Sequence, residues 1–361
     1  MKQAAVVHDW LNGMRGGERV LEEILALLPD ADLFTLIWEP GKVSEAIRRH
    51  RVVDWPAGRR ALVRRHYQYF LPLLPKAIES FDLRGYPLVV SSSHCVAKGV
   101  IPEPGARHIA YIHSPMRYAW DQFQAYFGTA PRWKRSLVAG QMVRLRMWDV
   151  ASSARVDRFI ANSEFVRQRI YRYYRREADV IPPPIDTTFF SPAPAERCDF
   201  YLCVSALVPY KNIEFLVDAF TASKRRLVIV GGGPLLGRLR RRAGANVEFR
   251  PFQSAETLRS LYRQARALVF AGVEDFGMAF AEALSCGTPV VALGQGGVRD
   301  IVRHGENGLL FAEPTPAALE SAIVQLEATT FGAEALHDSV TRFSRESFAR
   351  RFGAVIQETI S

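Results

Sequence analysis

The sequence predicts an α/β protein made of two doubly wound, parallel-sheet domains. Short apolar runs, typical of buried strands, alternate with helix-forming segments, and this alternation favours parallel sheets covered by helices. Proline-rich stretches at 181–186 and 191–195 interrupt the alternation near the middle of the chain. A length of 361 residues is enough for two such domains. We therefore predict a first domain over residues 1–185, a linker over 186–198 and a second domain over 199–344.

The first domain is predicted from four apolar runs at 3–7, 87–91, 108–112 and 155–161. Polar residues follow these runs directly, so polar side chains should gather at the carboxyl ends of the strands, where a doubly wound sheet binds ligands. His113 stands out among them, because it ends an apolar strand and precedes a basic and aromatic cluster. A histidine that is simply satisfied within the fold is the alternative interpretation.

A glycine-containing loop joins the first strand to its helix. The loop carries Gly16 and Gly17, and the helix is predicted over 19–28. A strand, a glycine-rich loop and a helix together can hold a phosphate on backbone N–H groups. The loop has neither the Walker A nor the GxGxxG spacing, so an ordinary strand-to-helix turn also accounts for it.

The second domain is predicted from five apolar runs, at 200–205, 226–230, 247–249, 267–270 and 289–293. Helices are predicted over 213–222 and 278–285, the latter ended by Cys286, Gly287 and Pro289. A last helix over 345–360 has no strand after it. This pattern again indicates a parallel sheet with helices on its faces.

Several residues that suit an anionic sugar nucleotide follow strands of the second domain. Lys211 can neutralise a diphosphate, and glycine turns at 231–233 and 296–297 let backbone N–H groups approach phosphate oxygens. Glu274 and Glu282 flank a strand-to-helix turn, and a carboxylate has two acceptor oxygens for a vicinal diol. In the simpler interpretation these carboxylates only cap a helix or face water.

Two further expectations accompany this pattern. No cluster of side chains has the spacing of a metal site, so we expect no metal and no cofactor. Asp275, beside Glu274, is interpreted as a structural cap of the helix over 278–285.

The net charge of +10 is carried mostly by arginine-rich segments with interleaved aromatic residues. Such segments suit an anionic membrane surface or a phosphorylated substrate, and an ordinary arginine-rich surface is the alternative. Nucleic acid is not expected as a partner, because no recognised binding motif is present. The four cysteines form no CxxC pair, and neither a long apolar run nor a signal peptide is found. We expect a cytoplasmic protein, in which a peripheral membrane location is an option.

The residues from Glu274 to Glu282, followed by Ala-Leu-Ser-Cys-Gly-Thr-Pro, resemble the E-x7-E signature of family 4 retaining glycosyltransferases. The runs 205–212, 232–234 and 305–310 also stand where that family has its motifs. In the first half, the runs 16–20, 113–121 and 162–166 are similar to the bacterial mannosyltransferase-like branch. The resemblance covers nearly the whole chain. It implies the GT-B fold, two Rossmann-like domains with a central crevice, and a terminal helix over 345–361 that packs on the N-terminal domain.

The resemblance also implies roles for residues of the second domain. Glu282 would hold the nucleotide ribose. Glu274, with the N–H groups of Phe276 and Gly277, would lie at the transferred hexose. Lys211 would bind the donor diphosphate. Many relatives have an arginine beside this lysine, where the present chain has Ala206.

Further roles are implied for the glycine loops and for the first domain, which would bind the acceptor. Gly232 would offer its N–H group to the donor, and Gly16 and Gly17 would close over the phosphates. His113 would lie near the sugar and the acceptor. These four residues complete the predicted catalytic and donor-binding set.

The implied activity is retaining, metal-independent transfer of a hexose from a nucleoside-diphosphate sugar, with GDP-mannose favoured. The expected acceptor is a saccharide, such as a polyprenyl-diphosphate-linked one, used in surface polysaccharide synthesis at the cytoplasmic face of the inner membrane. Two alternatives remain open from the sequence. One is a nucleotide-sugar epimerase of the same fold, and the other is a non-enzymatic protein that binds polyanions.

Overall fold

A computed structural model describes residues 4–128, 130–194 and 197–361. It divides the chain into two compact units, one running up to Pro184 and including Glu346–Ser361, the other comprising Ile185–Arg345. Residue 3 of the first predicted strand and residue 195 of the predicted proline-rich stretch lie outside the described residues. In the described ranges, no helix combines the length and the apolar character needed to cross a membrane.

The first unit is built on a parallel sheet that has seven strands in the part of the chain described, in the order β3-β2-β1-β4-β5-β6-β7. Its strands are β1 (Ala5–His8), β2 (Asp32–Thr35), β3 (Val52–Asp54), β4 (Leu88–Ser93), β5 (Arg107–Ile112), β6 (Arg158–Ala161) and β7 (Ala178–Val180). Its helices up to Pro184 are α1 (Gly16–Leu27), α2 (Glu45–Arg48), α3 (Ala61–His66), α4 (Leu74–Glu79), α5 (Phe123–Phe127), α6 (Arg132–Ser153) and α7 (Glu164–Tyr174). Short 3-10 helices add Pro40–Lys42, Pro56–Arg59, Tyr67–Leu73 and Ala97–Gly99. The central strands are buried on both faces, which explains why they are continuous apolar runs rather than alternating ones.

The second unit has a parallel sheet of six strands among its described residues, in the order β10-β9-β8-β11-β12-β13. The strands are β8 (Tyr201–Val204), β9 (Leu227–Val230), β10 (Val247–Arg250), β11 (Leu268–Phe270), β12 (Val290–Leu293) and β13 (Gly308–Phe311). The helices are α8 (Ile213–Ser223), α9 (Leu236–Arg242), α10 (Ala255–Gln264), α11 (Met278–Ser285), α12 (Val298–Ile301), α13 (Pro316–Glu327) and α14 (Ala333–Asp338), with 3-10 helices at Pro209–Lys211 and Thr341–Phe343. The predicted fold class, two doubly wound parallel-sheet domains, is confirmed.

The last helix, α15 (Arg345–Ile360), packs on the sheet of the first unit. Phe348 and Phe352 are buried in one of its hydrophobic clusters, and the Tyr111 ring lies 6.0 Å from the Phe348 ring and 6.2 Å from the Phe352 ring. Burying a large apolar side chain contributes about 1.5–3 kcal/mol. The contacts of α15 therefore make it part of the first unit's core.

The observed bounds agree with most predicted elements and correct one of them. Helix α11 has the predicted bounds, and the strands begin or end within a few residues of their predicted positions. The helix predicted over 19–28 instead begins at Gly16. Gly16 and Gly17 therefore lie in the first helical turn and not in the preceding loop. Glu18 explains the earlier start, because its carboxylate accepts the Arg15 N–H at 3.0 Å and satisfies a donor at the helix terminus.

Candidate functional site

The sheet of the second unit has its topological switch point between β8 and β11. From β8 the chain adds β9 and β10 on one side, then returns to add β11, β12 and β13 on the other. In open α/β sheets, ligands bind outside the carboxyl ends of the strands at such a point. Lys211 follows β8 in a short 3-10 helix, and Glu274 lies in the turn after β11. The topology therefore brings two predicted site residues, 63 positions apart in sequence, to the same edge.

Lys211 and Glu274 form an ion pair at this edge, between Nζ of the lysine and Oε2 of the glutamate. Lys211 is buried, and its ammonium group lies 5.1 Å from the centre of the Tyr210 ring. A lysine has three donors, so one Nζ can contact a carboxylate and further acceptors together. The residue predicted to bind the diphosphate, Lys211, and the residue predicted to lie at the hexose, Glu274, are thus direct neighbours.

The turn that carries Glu274 is held against the loop after β12. The Gly297 N–H donates to the Glu274 carbonyl at 2.8 Å, and Glu274 forms an isolated bridge with Gly296. Gly296 has a φ of 81°, and a Cβ there would lie 2.5 Å from the Glu274 carbonyl oxygen. Only glycine combines this backbone conformation with so close an approach. The predicted glycine turn at 296–297 therefore positions Glu274 through the backbone.

Helix α11 begins directly after this turn. Its N-cap residue is Gly277, with φ 96° and ψ 65°. The chain thus enters the helix through a left-handed glycine, and the buried Asp275 lies two residues before this N-cap position. Phe276 is buried and packs edge-on against Phe343, with ring centres 5.4 Å apart. This packing fixes the backbone at the helix start, where N–H groups without helical partners attract anions.

Glu282 lies on α11 and is almost fully buried. The Tyr262 hydroxyl, from α10, donates to Glu282 Oε2 at 3.0 Å. A buried carboxylate needs such donors, because losing water without replacement is costly. Sequence reasoning missed Tyr262, and the only signal for it was an aromatic residue with a polar tip in an apolar helix face.

The glycine loop after β9 is joined to the loop that carries Lys211. The Leu207 N–H donates to the Gly232 carbonyl at 2.9 Å, and the Leu235 N–H donates to the Leu207 carbonyl at 3.2 Å. Gly232 faces the exposed Phe252 ring, which lies 3.3 Å from where a Cβ would be. Ala206, in the same loop, is exposed. The predicted donor loops are therefore adjacent, and position 206 supplies no cation to them.

The sheet of the first unit has its own switch point, between β1 and β4. Asp9 directly follows β1, is fully buried and accepts four backbone N–H groups. These come from His94, Cys95, Val96 and Ala97, at 2.7, 2.9, 2.6 and 2.8 Å. Burial raises the pKa of Asp9, and these donors oppose that shift. Asp9 therefore anchors the turn after β4, a role that the sequence signalled only by a charged residue interrupting an apolar strand.

Ser92 joins two histidines at this switch point. Its Oγ lies 2.8 Å from Nε2 of His113 and 3.1 Å from Nδ1 of His8. Burial lowers the pKa of both His8 and His113 to about 3, with the nearby His94 ring adding to the effect, so both imidazoles are neutral at pH 7. A neutral imidazole has one donor and one acceptor. His113 can therefore hydrogen-bond a hydroxyl group but does not supply a positive charge.

Gly17 lies over this histidine pair. A Cβ at Gly17 would be 3.7 Å from His8 Cε1 and 3.7 Å from His113 Nε2. The structure thus brings the predicted residues Gly17 and His113 together in the first unit, as it brings Lys211 and Glu274 together in the second. Among the residues that the structure describes, no three His, Cys, Asp or Glu side chains form a group that could hold a metal ion.

Comparison with known proteins gives a family match for each half of the chain. The model of glycosyltransferase family 4 matches residues 14–189, and the model of glycosyl transferases group 1 matches residues 184–341. Together the two models match residues 14–341, which cover most of both units.

Two curated relatives illustrate the similarity. One is the GDP-mannose-dependent alpha-(1-6)-phosphatidylinositol monomannoside mannosyltransferase of Mycobacterium tuberculosis, 32% identical over 197 residues, or 45% of this chain and 51% of that protein. The other is the D-inositol 3-phosphate glycosyltransferase of Acidothermus cellulolyticus, 32% identical over 231 residues, or 55% of this chain and 51% of that protein. The chain spans about half the length of these curated relatives.

A solved structure extends the likeness of the fold to the full chain. Sucrose-phosphate synthase from Thermosynechococcus elongatus superposes with a TM-score of 0.74 over 99% of this chain and 98% of that one, at 22% sequence identity. The family matches and the two parallel-sheet units lead to one conclusion. The chain belongs to the family 4 glycosyltransferases, and its fold is GT-B.

Proposed function

We propose that this protein transfers a hexose from a nucleoside-diphosphate sugar to a saccharide acceptor with retention of configuration. The observation that carries the proposal is the Lys211–Glu274 pair at the β8–β11 switch point, with Glu282 buried on the adjoining helix. A cation for the diphosphate and carboxylates for sugar hydroxyls are what such a donor requires. Neither an epimerase acting without acceptor nor a polyanion binder is favoured by a separate observation.

In the second unit we assign each predicted residue one role. Lys211 binds the diphosphate, aided by the N–H group of Gly232 and by the start of α11, while the N–H groups of Phe276 and Gly277 lie with Glu274 at the hexose. Glu282 accepts hydrogen bonds from the ribose hydroxyls while Tyr262 holds its other side. These groups stabilise the charge that grows on the departing diphosphate, which is electrostatic preorganisation.

Glu274 acts on the hexose by orienting it and by stabilising positive charge as the sugar passes through an oxocarbenium-like state. Its ion pair with Lys211 supports a location at the bond between sugar and diphosphate, because the carboxylate lies next to the proposed diphosphate-binding residue. We do not assign it as a covalent nucleophile, since a double displacement needs two carboxyl groups flanking the bond and Glu282 is used for the ribose. The acceptor hydroxyl then enters on the face from which the diphosphate leaves.

In the first unit, Gly16 and Gly17 are proposed to offer N–H groups of the first turn of α1 to a donor phosphate. His113 is proposed to hydrogen-bond a hydroxyl of the sugar or the acceptor, as a neutral imidazole held by Ser92. We propose GDP-mannose as the donor, in line with the name of the mycobacterial relative. The proposed acceptor is a lipid-linked saccharide at the cytoplasmic face of the membrane.

A screen of nucleotide sugars by thermal shift tests the proposal and identifies the donor. We expect GDP-mannose to raise the melting temperature more than other nucleotide sugars, because ligand that binds only the folded state stabilises it. Product formed with the matching acceptor should keep the anomeric configuration when examined by NMR. Donor conversion without acceptor would instead indicate an epimerase. A chain that no nucleotide sugar stabilises, but that heparin does, would indicate a polyanion binder.

The variant Glu274→Ala separates chemistry from binding. We expect turnover to fall by roughly a hundredfold or more, while nucleotide affinity measured by calorimetry stays within a few-fold of wild type. Glu306→Ala, which removes an exposed glutamate of the same unit, is the matched control and should leave both quantities unchanged. Unchanged turnover in Glu274→Ala would rule out the role given to this residue.

A further inference from the structure

Helix α6 (Arg132–Ser153) is apolar on two opposite faces. Its inner face packs into a hydrophobic core cluster through Met142 and Leu145, with Val138 and Trp148 partly buried beside them. Its outer face carries five exposed large apolar side chains: Trp133, Leu137, Val143, Met147 and Val150. At about 100° per residue, these five lie within an arc of about 140°. The outer face therefore concentrates the exposed apolar side chains of the helix on one side, with Ser136 and Arg144 among them.

The degree of exposure is high for side chains of this size. Trp133 is 72% exposed, Met147 68% and Leu137 62%. A helix that is apolar all round is usually buried, and a contiguous exposed apolar patch marks a binding surface. The described residues of the chain leave this face open, so its partner is another molecule.

A second segment of the first unit has the same character. Leu62, Tyr69 and Leu73, from α3 and the 3-10 helix that follows it, are exposed, and Tyr69 is 79% exposed. Their neighbours Phe70 and Leu71 pack against the same core cluster as the inner face of α6. We call the exposed apolar residues of α6, with the neighbouring basic residues, the basic apolar surface, and the segment 61–73 is a second exposed segment of the same kind.

The charge of both segments has one sign. Residues 122–148 contain five lysines and arginines and no aspartate or glutamate, and the same is true of residues 55–78. Of these ten cations, only Arg59 forms an ion pair within the described ranges, with Asp54. The surface is therefore positive as well as apolar.

The acidic residues that border the two segments are each engaged by a cation. Asp54 pairs with Arg59 at 2.7 Å, and Glu79 pairs with Arg155 at 2.6 Å. Asp121 pairs with Arg169 at 2.9 Å, and Asp149 with the buried Lys98 at 2.9 Å. Negative charge at the borders is thus already used, and the excess positive charge of the surface remains available for an outside partner.

We propose that the basic apolar surface binds an anionic lipid bilayer. Helices of this kind lie in the membrane interface with Trp and Leu in the acyl boundary and arginines on lipid phosphates. A second copy of the chain is disfavoured as the occupant, because it would set like charges against each other. The inference deepens the proposed function, since it supplies the membrane on which a lipid-linked acceptor is found, although binding to the bilayer does not depend on sugar transfer.

Vesicle flotation with matched variants tests the proposal. The wild-type protein is expected to float with vesicles that contain phosphatidylglycerol and not with vesicles of phosphatidylcholine alone. Trp133→Ser/Leu137→Ser should lower the partition coefficient roughly tenfold or more, because two apolar anchors are lost. Val324→Ser/Ile360→Ser replaces two exposed apolar residues elsewhere and should float like wild type. Circular dichroism and the melting temperature should be the same for all three proteins, which shows that any loss is not a loss of fold.

Four results would overturn the proposal. Two concern flotation: wild type does not float at an ionic strength of about 0.05 M, or both double variants float equally. The third is tighter binding of a random oligonucleotide than of the anionic vesicles. The fourth is a lipid-free dimer that Trp133→Ser/Leu137→Ser dissociates. Thermal shift with GDP-mannose keeps the two proposals apart. If no nucleotide sugar stabilises the protein but the protein floats as expected, the proposal of sugar transfer is refuted and the proposal of membrane binding is supported. If GDP-mannose stabilises both double variants equally and the two float equally, the membrane surface is refuted and the proposed sugar transfer is unaffected.

Discussion

His8 should make the first unit acid-sensitive. The imidazole is fully buried at the end of β1, and burial lowers its pKa to about 3, whereas an unfolded histidine titrates near 6.5. Its Nε2 has no hydrogen-bond partner in the part of the chain that the structure describes, and Nδ1 faces Ser92 Oγ at 3.1 Å. Because the unfolded chain binds the proton and the folded chain does not, stability is complete above pH 6.5 and falls as the pH drops from 6.5 towards 3.

The magnitude follows from the two pKa values. Between about pH 7.5 and about pH 5.0 the unfolded imidazole becomes almost fully protonated while the folded one stays neutral, which costs about 2 kcal/mol of unfolding free energy. The value depends little on the folded pKa, as long as that pKa stays well below 5. His8→Asn removes the titrating group while an amide remains near the Ser92 hydroxyl.

Tryptophan fluorescence during urea unfolding measures this effect in the first unit alone. All six tryptophans lie before residue 150, in the first unit, so their signal does not report the second one. We expect wild type to lose about 2 kcal/mol more than His8→Asn between about pH 7.5 and about pH 5.0. Other buried histidines, such as His108 and His113, are present in both proteins and cancel. Equal losses in the two proteins would refute the assignment of His8 as a buried neutral group.

Three further predictions concern the second unit. Gly296→Ala should lower the stability of this unit by about 1–3 kcal/mol, because the new Cβ would clash with the Glu274 carbonyl. Gly305→Ala is the control for backbone strain alone, since Gly305 has a similar φ of 83° but nothing within 4 Å of a Cβ. Equal calorimetric melting temperatures of the two variants would contradict the clash. Tyr262→Phe should lower the free energy of unfolding by about 1–3 kcal/mol and weaken nucleotide-sugar binding, since the buried Glu282 loses a hydrogen-bond donor. An unchanged affinity in calorimetric titration would show that the Tyr262–Glu282 hydrogen bond does not support binding. Transferase activity should persist in excess EDTA, because the proposed diphosphate ligands are a lysine and backbone N–H groups; loss of activity that Mg²⁺ restores would show that a metal is needed.

The fold could be predicted because parallel strands buried on both faces are continuous apolar runs. Strands that are not buried in this way are difficult to predict from the sequence. Strand β3 lies at an edge and is only partly buried, and β13 begins with glycine, so neither has the expected pattern. The start of α1 was misplaced because helix propensity disfavours Gly16 and Gly17, whereas Glu18 and tertiary packing stabilise the first turn.

The candidate site was predictable in part for a similar reason. Residues that follow strands of a parallel sheet meet at one edge, which brought Lys211 and Glu274 together as expected for a shared site. The partners that hold the site were not predictable. Asp9 binds N–H groups at least 85 positions away, and Glu282 is held by Tyr262 from another helix, and no local pattern encodes either contact.

The position of α15 has a consequence for how the protein is made. The second unit is one uninterrupted stretch of chain, whereas the first unit receives Phe348 and Phe352 only after all of the second unit has left the ribosome. Until then the sheet around Tyr111 exposes apolar surface, at a stage when incomplete domains tend to aggregate. Completion of the first unit is thereby coupled to the synthesis of α15. A chain interrupted directly after Arg345 would contain a complete second unit and a first unit that lacks α15, which is a ready substrate for chaperones and proteases.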